Sequence, residues 1–565
     1  MASFLHKQHF LVAGALLALM FGLSITSAKD NSATLDELAH IPSGYSYLRY
    51  ADYRLNPEHP PLIKDLAGLP LLFMNLHFPE DQTGWNSPTN GQWEAGQRFL
   101  YESGNDADAI IFWSRLSLLL LAVFFGAFFY WLVRQEFGTS TALLALFFYA
   151  LSPNFIAHST LVTTDVGAAI FMFIAIWVYS RFAAQPSTRN CLLLSCALAA
   201  AQLVKFSSFL LYPFLGVASL VLVWRMRSQL GLKDAIKLYV GGFVGASALS
   251  VALIYIAYVP HVWNMPSSFQ NRLLDSANIN LFHDAVFLKP ILHYVIGLVM
   301  AVARVGGGSI TYLNGAITNQ SFRYYFPELF VLKTQLAFLV LMMAGGVFTL
   351  WRVASTRRER VLEWLLASFA IFYFTVAVTG NLNLGLRHIL PVYLPIFVMT
   401  ALAIVKIFQS LVETKWRWAS AISVTALLLW YAGSTLAAHP FYIPYSNELM
   451  GGPNNADLYF SDSNADWGQD LRRLKTYVDA HPEITNLGID YFGGGSLKYY
   501  FTDKKFVPWS ARFGRYTGQY LAVSETLLTT NQFYVDRYKW QSYDYLLKQK
   551  PVAKIGYSIH LYKLY

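Results

Sequence analysis

The sequence predicts an all-α polytopic membrane domain of about eleven transmembrane helices, followed by a C-terminal α/β domain. Three observations carry this. The 565 residues are 55% hydrophobic and only 13% charged, about half the charged share of an ordinary soluble chain. Apolar runs of crossing length recur from near the N-terminus to about residue 437. Beyond that point the composition turns polar and Tyr-rich, with alternating stretches such as TNLGIDYFG and AKIGYSIHLYKLY.

The runs lie near residues 9–27, 110–133, 139–157, 160–181, 189–204, 206–224, 237–259, 328–350, 362–380, 388–408 and 418–437. A span needs about 20 apolar residues. The first run resembles a cleaved signal, because Lys7 precedes an apolar stretch ending in SITSAKD; with so many later spans a retained helix is the better reading, and either puts the next segment outside. Breaks in the dense 139–224 block fall at SPNFIAHS, AAQPSTRN and Lys205. A further run at 287–303, with Lys289, His293, Arg304 and a GGG, reads as interfacial or re-entrant.

Orientation follows from Lys and Arg in short loops, which favour the cytoplasm. WRMRSQLGLKDAIK, WRVASTRRER and VETKWRW, with Arg134, Arg181 and Arg189, fall on one side when eleven spans are counted. A full crossing at 287–303 would split that set. Residues 1–437 then form the membrane domain, with outer loops at 28–109 and 260–327, and residues 438–565 an extracytoplasmic α/β domain in which DLRRLKTYVDA is a helix beside strands. The expected location is the cytoplasmic (inner) membrane, with the site and the tail facing the periplasm or exterior.

The net charge of +9 belongs largely to these loops, so nucleic acid is not an expected partner. Cys191 and Cys196, five apart in one apolar run without a neighbouring His, suit neither a disulfide nor a zinc site. There is no fixed-period repeat.

The chemistry-bearing residues share one face. Asp36 and Glu37 follow the first span, and Glu58, His59 and Lys64 stand in EHPPLIK of the same loop. Asp165 is placed at the outer mouth of the third and fourth spans, Lys205 at the end of the fifth, Lys333 near the start of the eighth, and Arg387 and His388 at the entry of the tenth. Ionisable groups at membrane depth are costly unless paired or functional. Snorkelling explains a single lysine, but snorkelling cations would follow the inward bias. For Asp36, a helix-capping role weighs about equally with a catalytic one. The acids suit activation of a nucleophile and the cations suit a phosphate at lipid-headgroup depth.

Asp36-Glu37, EHPPLIK, TTD, the Lys205 stretch, FVLKTQ and GLRHILPVYLP resemble, in order, motifs of the family 39 glycosyltransferases, the group of protein O-mannosyltransferases and lipid A aminoarabinose transferases. The resemblance covers residues 30–410 or so. It implies a C-type glycosyltransferase fold, a polyprenyl-phosphate-sugar donor and an inverting single displacement onto a protein, lipid or glycan acceptor. By the same resemblance Asp36 matches the base, Glu37 its neighbour, Glu58 the first-loop acid, Asp165 the second acidic motif, and Lys205 and Arg387 the cations for the carrier phosphate. His59 departs from a Lys-Pro-Pro pattern. These residues specify no particular cofactor; a divalent metal ion is left open.

In the tail, SDSNADWGQDLRRLKTY resembles a segment of bacterial members of the family. It reads as a packed loop and helix cap beside the site, ahead of an acceptor or metal role, because the glycine and distal glutamate of an EF-hand are missing. Two other classes compete: a transporter or flippase, against which stand charge-free span middles and the lack of repeats, and a sensor or assembly protein acting through the tail.

Overall fold

The computed structural model describes residues 2–87, 91–353, 361–502 and 506–565, with side chains described from residue 8 and not for 349–353. Among the described residues nine helices are long and apolar enough to cross a membrane, or up to 11 if each of two bent pairs is one span. Thr188–Val204 is a shorter apolar helix. Outward-facing Phe124, Val217, Ile256 and Ile371 are each more than 60% exposed, a surface that water would penalise and lipid covers. The chain is a multi-pass membrane protein, and the expected all-α domain followed by an α/β tail is what it forms.

Two expected straight spans are broken. Thr139–Ala150 and Pro153–Ser159 meet at 62°, and Tyr325–Leu332 and Leu336–Phe348 at 110°. Helix ends leave carbonyls without intrahelical partners, and here the breaks satisfy one another. Leu151 O accepts from Gln335 Nε2 and Thr435 Oγ1, while Lys333 O accepts from Asn154 Nδ2 at 2.8 Å. Asn447 of the tail donates to Val331 O and Thr334 O.

Basic residues and site residues occupy opposite ends of the same helices. Asp165 opens Asp165–Ala184 and Arg181 closes it; Arg189 is in the first turn of Thr188–Val204 and Lys205 follows its end. Arg387 precedes Leu390–Leu411, near whose far end lies Lys406. Of WRVASTRRER, residues 354–360 lie outside those described.

The long loops are folded onto the site-bearing end. In the first, Leu35–Tyr50 packs on Leu62–Gly68 so closely that a methyl at Gly44 would lie 1.9 Å from Lys64 O. In the second, the run expected to be interfacial or re-entrant is, as Val286–Gly307, one of the nine helices long and apolar enough to cross; its Lys289–Gly307 helix sets His293 against Tyr53, Gly297 against Pro57, and Gly308 beside Asn381, all groups of that same end. A short hairpin follows, β1 (Thr311–Leu313) with β2 (Ala316–Thr318).

The tail carries a five-stranded mixed sheet of β3 (Leu487–Asp490), β4 (Phe506–Pro508), β5 (Tyr520–Ser524), β6 (Ala553–Ile555) and β7 (Ile559–Lys563), ordered β4-β3-β5-β7-β6. β3 runs parallel to β4 and β5, and β7 antiparallel to β5 and β6. Helices Leu471–Ala480 and Glu525–Tyr538 accompany it. The β6–β7 turn uses positive φ at Gly556 and Tyr557, and a side chain at Gly556 would strike the Asp470 carboxylate at 2.1 Å.

Candidate active site

The helix carrying the first acidic pair, Leu35–Tyr50, is capped at Thr34, not Asp36. Glu37 Oε2 accepts from Thr34 N at 2.8 Å and Thr34 Oγ1 at 2.9 Å, the reaching-back half of a capping box. The capping role weighed for Asp36 is thus filled by its neighbours. Asp36 Oδ2 instead accepts from Arg387 Nη1 at 2.7 Å.

Arg387 Nη1 also lies 3.5 Å from Asp165 Oδ2, and Lys205 Nζ donates to Asp165 Oδ1. Two acids and two cations, each pair near neutral in sum, therefore join residues distant in sequence. Asp165 is 2% exposed and Asp36 23%, so one carboxylate is enclosed and the other is partly exposed. Arg387 lies over the buried Trp467 ring with Cζ 4.0 Å from its centroid, and its Nε is buried without a protein partner.

Histidines surround this cluster. His388 Nε2 and His158 Nδ1 are buried without hydrogen-bond partners, as is His59 Nδ1. His59 packs against His40 at 4.9 Å, and His40 Nδ1 is 2.7 Å from Val162 O. Burial pulls both first-loop imidazoles below their ordinary value, His59 well below, so they are neutral at physiological pH. Neutral imidazoles can donate and accept beside cations, as sugar hydroxyls require.

The other predicted residues lie elsewhere. Glu37 is fully buried; Arg115 donates to both its oxygens at 2.6–2.8 Å, and Val162 N donates at 3.0 Å. Burial alone would raise its pKa, but Arg115 and the two backbone amides outweigh that and hold it below the ordinary value. Glu37 fastens the loop to the Ala107–Phe137 helix and does not face the cluster's cations. Lys64, expected on the substrate, is fully enclosed and donates to Tyr47 Oη, Asn56 O, Asn56 Oδ1 and His59 O within 2.9 Å. Glu58 accepts from Gln92 Nε2 at 2.8 Å. Lys333, expected among the phosphate cations, donates to Ile443 O and Asn464 O and is 2% exposed. Both acceptors are carbonyls of the tail, so this lysine ties the break in the membrane helix to the C-terminal segment.

His40, His158 and Trp467 were not singled out from the sequence. His40 had a signal, its i+4 spacing from Asp36 on one helix. Trp467 had its place in SDSNADWGQDLRRLKTY, read as a loop packed beside the site, and His158 had none. Among the described residues no group of three or more His, Cys, Asp or Glu side chains is placed to hold a metal ion.

Residues 100–255, which include Asp165 and Lys205, match the family described as dolichyl-phosphate-mannose-protein mannosyltransferase. The resemblance drawn from the motifs is met over that stretch. ArnT from Cupriavidus metallidurans, solved bound to undecaprenyl phosphate, is similar at 12% identity over 98% of each chain, with a TM-score of 0.47. The Archaeoglobus fulgidus oligosaccharyltransferase in the apo form is similar at 13% identity over 95% of this chain and 72% of that one, TM-score 0.47. AglB from Archaeoglobus fulgidus, solved with an inhibitory peptide and a dolichol-phosphate, is similar at 14% identity over 91% and 70%, TM-score 0.44. No curated protein matches the sequence.

Proposed function

We propose that this chain is a membrane glycosyltransferase that moves a sugar from a polyprenyl-phosphate carrier to a protein, lipid or glycan acceptor on the extracytoplasmic face of a cytoplasmic membrane. The observation that carries the reading is the cluster of Asp36, Asp165, Lys205 and Arg387, with the family match across two of its members as support. The match concerns a mannosyltransferase family; the sugar and acceptor of this chain are separate questions.

In the proposed reaction an acceptor hydroxyl or amine attacks the anomeric carbon as the bond from that carbon to the phosphate oxygen breaks. Asp36 takes the acceptor's proton, and the polyprenyl phosphate departs with the bonding electrons. Lys205 and the unpartnered Nε edge of Arg387 neutralise the leaving phosphate; guanidinium groups bind such oxyanions in a two-point fork. Stabilising developing charge in a dry site is usually the largest catalytic contribution. Asp165 pairs with both cations and orients them, and the neutral histidines address sugar hydroxyls. Glu37 acts in this scheme by holding the first loop.

The test is binding and turnover by the full-length protein in nanodiscs. Wild type should retain undecaprenyl phosphate in native mass spectrometry and release it from a labelled polyprenyl-phosphate sugar, and Lys205→Met with Arg387→Met should abolish retention. Equal retention by wild type and double variant would remove the donor assignment.

A further inference from the structure

The tail segment from Asp462 to Asp470 is tied to the site by hydrogen bonds and a ring contact. Asn464 Oδ1 accepts from Leu386 N at 2.9 Å, beside Arg387, while its Nδ2 donates to Tyr325 Oη at 2.9 Å. Ser463 Oγ donates to Leu384 O at 2.8 Å, and a side chain at Gly385 would collide with that hydroxyl at 2.3 Å. Trp467 O accepts from Leu35 N, next to Asp36, at 3.2 Å, and Gln469 O accepts from Ser32 N at 2.9 Å. The Trp467 ring, 1% exposed, lies under the Arg387 guanidinium.

One segment therefore touches the backbone on both sides of the Asp36–Arg387 pair and the face of the guanidinium itself. A hydrogen-bonded loop alone would pin the main chain and leave Arg387 its rotamers. Asp36 and Asp165 hold only its Nη1 end; the indole, 4.0 Å from Cζ, adds a surface that limits how far the planar guanidinium can tilt.

We infer that the tail completes the active site, with Trp467 and Asn464 as positioning residues: Trp467 orients the Arg387 guanidinium toward the carrier phosphate, and Asn464 sets the backbone that presents it. This rests on the reading of Arg387 as a phosphate-binding cation. In this arrangement the tail is a working part of the catalytic centre, and substitutions in it alter how the donor is held.

The experiment uses full-length protein in nanodiscs with Trp467→Phe and Trp467→Leu, each required to elute as wild type. Arginine modification by phenylglyoxal, read by mass spectrometry at the peptide containing Arg387, reports the guanidinium whether or not sugar transfer occurs. Trp467→Leu should raise the Arg387 modification rate at least tenfold, and Trp467→Phe should leave it within about threefold. Steady-state transfer from a polyprenyl-phosphate sugar should show a donor KM raised tenfold or more in Trp467→Leu, restored in Trp467→Phe. If Leu labels as wild type does, or if Phe and Leu are equally impaired, the positioning role is overturned. Raised labelling in Trp467→Leu with no transfer by wild type would sink the glycosyltransferase reading and leave the stacking role standing.

Discussion

Replacing Asp36 by Asn separates its two roles in the structure, proton acceptor and partner of Arg387. The carboxylate is 23% exposed and 2.7 Å from Arg387 Nη1. Arg387 is 9% exposed, so the loss exceeds the roughly 1 kcal/mol of an exposed pair, but Arg387 keeps Asp165 and Trp467 as neighbours and the full cost of about 3–5 kcal/mol for a buried charge left unpaired does not apply. Stability should therefore fall by about 1–3 kcal/mol. Removal of a general base lowers the rate about 10²–10⁴-fold, which is roughly 3–5.5 kcal/mol of barrier at about 1.4 kcal/mol per tenfold. The loss should appear in kcat, with donor KM unchanged or lower, since Asn also removes a negative charge from beside the incoming phosphate. The assay is steady-state transfer from a labelled polyprenyl-phosphate sugar, with thermal unfolding of the same preparations. Activity within threefold of wild type, or a raised KM at normal kcat, would refute Asp36 as the base and leave it only the task of holding Arg387.

Asp165→Asn should destabilise by about 3–5 kcal/mol, because two cations lose the enclosed charge between them; pairing it with Lys205→Met should recover a large part, read as unfolding temperature. In the tail, burial raises Asp466 to about 8, against about 4 when unfolded. A raised carboxyl binds its proton more tightly in the folded state, so this group's contribution is full below about pH 4 and is lost as pH rises toward 8. Denaturant unfolding across that window should show stability falling with pH, with a smaller slope in Asp466→Asn. Orientation is checked with Cys191 and Cys196 replaced by Ala and a single Cys at Asn381. A membrane-impermeant maleimide should label it in intact cells; labelling only after lysis would put the site on the other face and end the functional proposal.

Composition and local spacing were sufficient for much of this molecule. The apolar runs read the membrane domain and most of its helices because a backbone in lipid must satisfy its own hydrogen bonds, which a single continuous apolar run of about 20 residues does as a helix, and the polar tail was legible as an α/β unit from alternating stretches beside the DLRRLKTYVDA helix. Asp165, Lys205 and Arg387 were legible because charge at a span end is conspicuous against apolar surroundings. Glu37, Lys64 and Lys333 were equally conspicuous, yet the structure gives each of them internal partners. A charge at membrane depth announces that something must compensate it; it does not say whether that is a ligand or a carbonyl of the same chain.

What only the tertiary structure decided is which charges meet. The breaks at residues 151–152 and 333–335, the close approach at Gly44, and the passage of the tail beneath Arg387 bring residues 36, 165, 205, 387 and 467 together. The contacts at the two breaks join segments more than a hundred residues apart, and those at Gly44 and Arg387 join separate elements of the chain, where local propensity has no influence. The sequence alone determined that ionised groups crowd one end of the helices; the fold determined which of them are left with an edge free for a substrate.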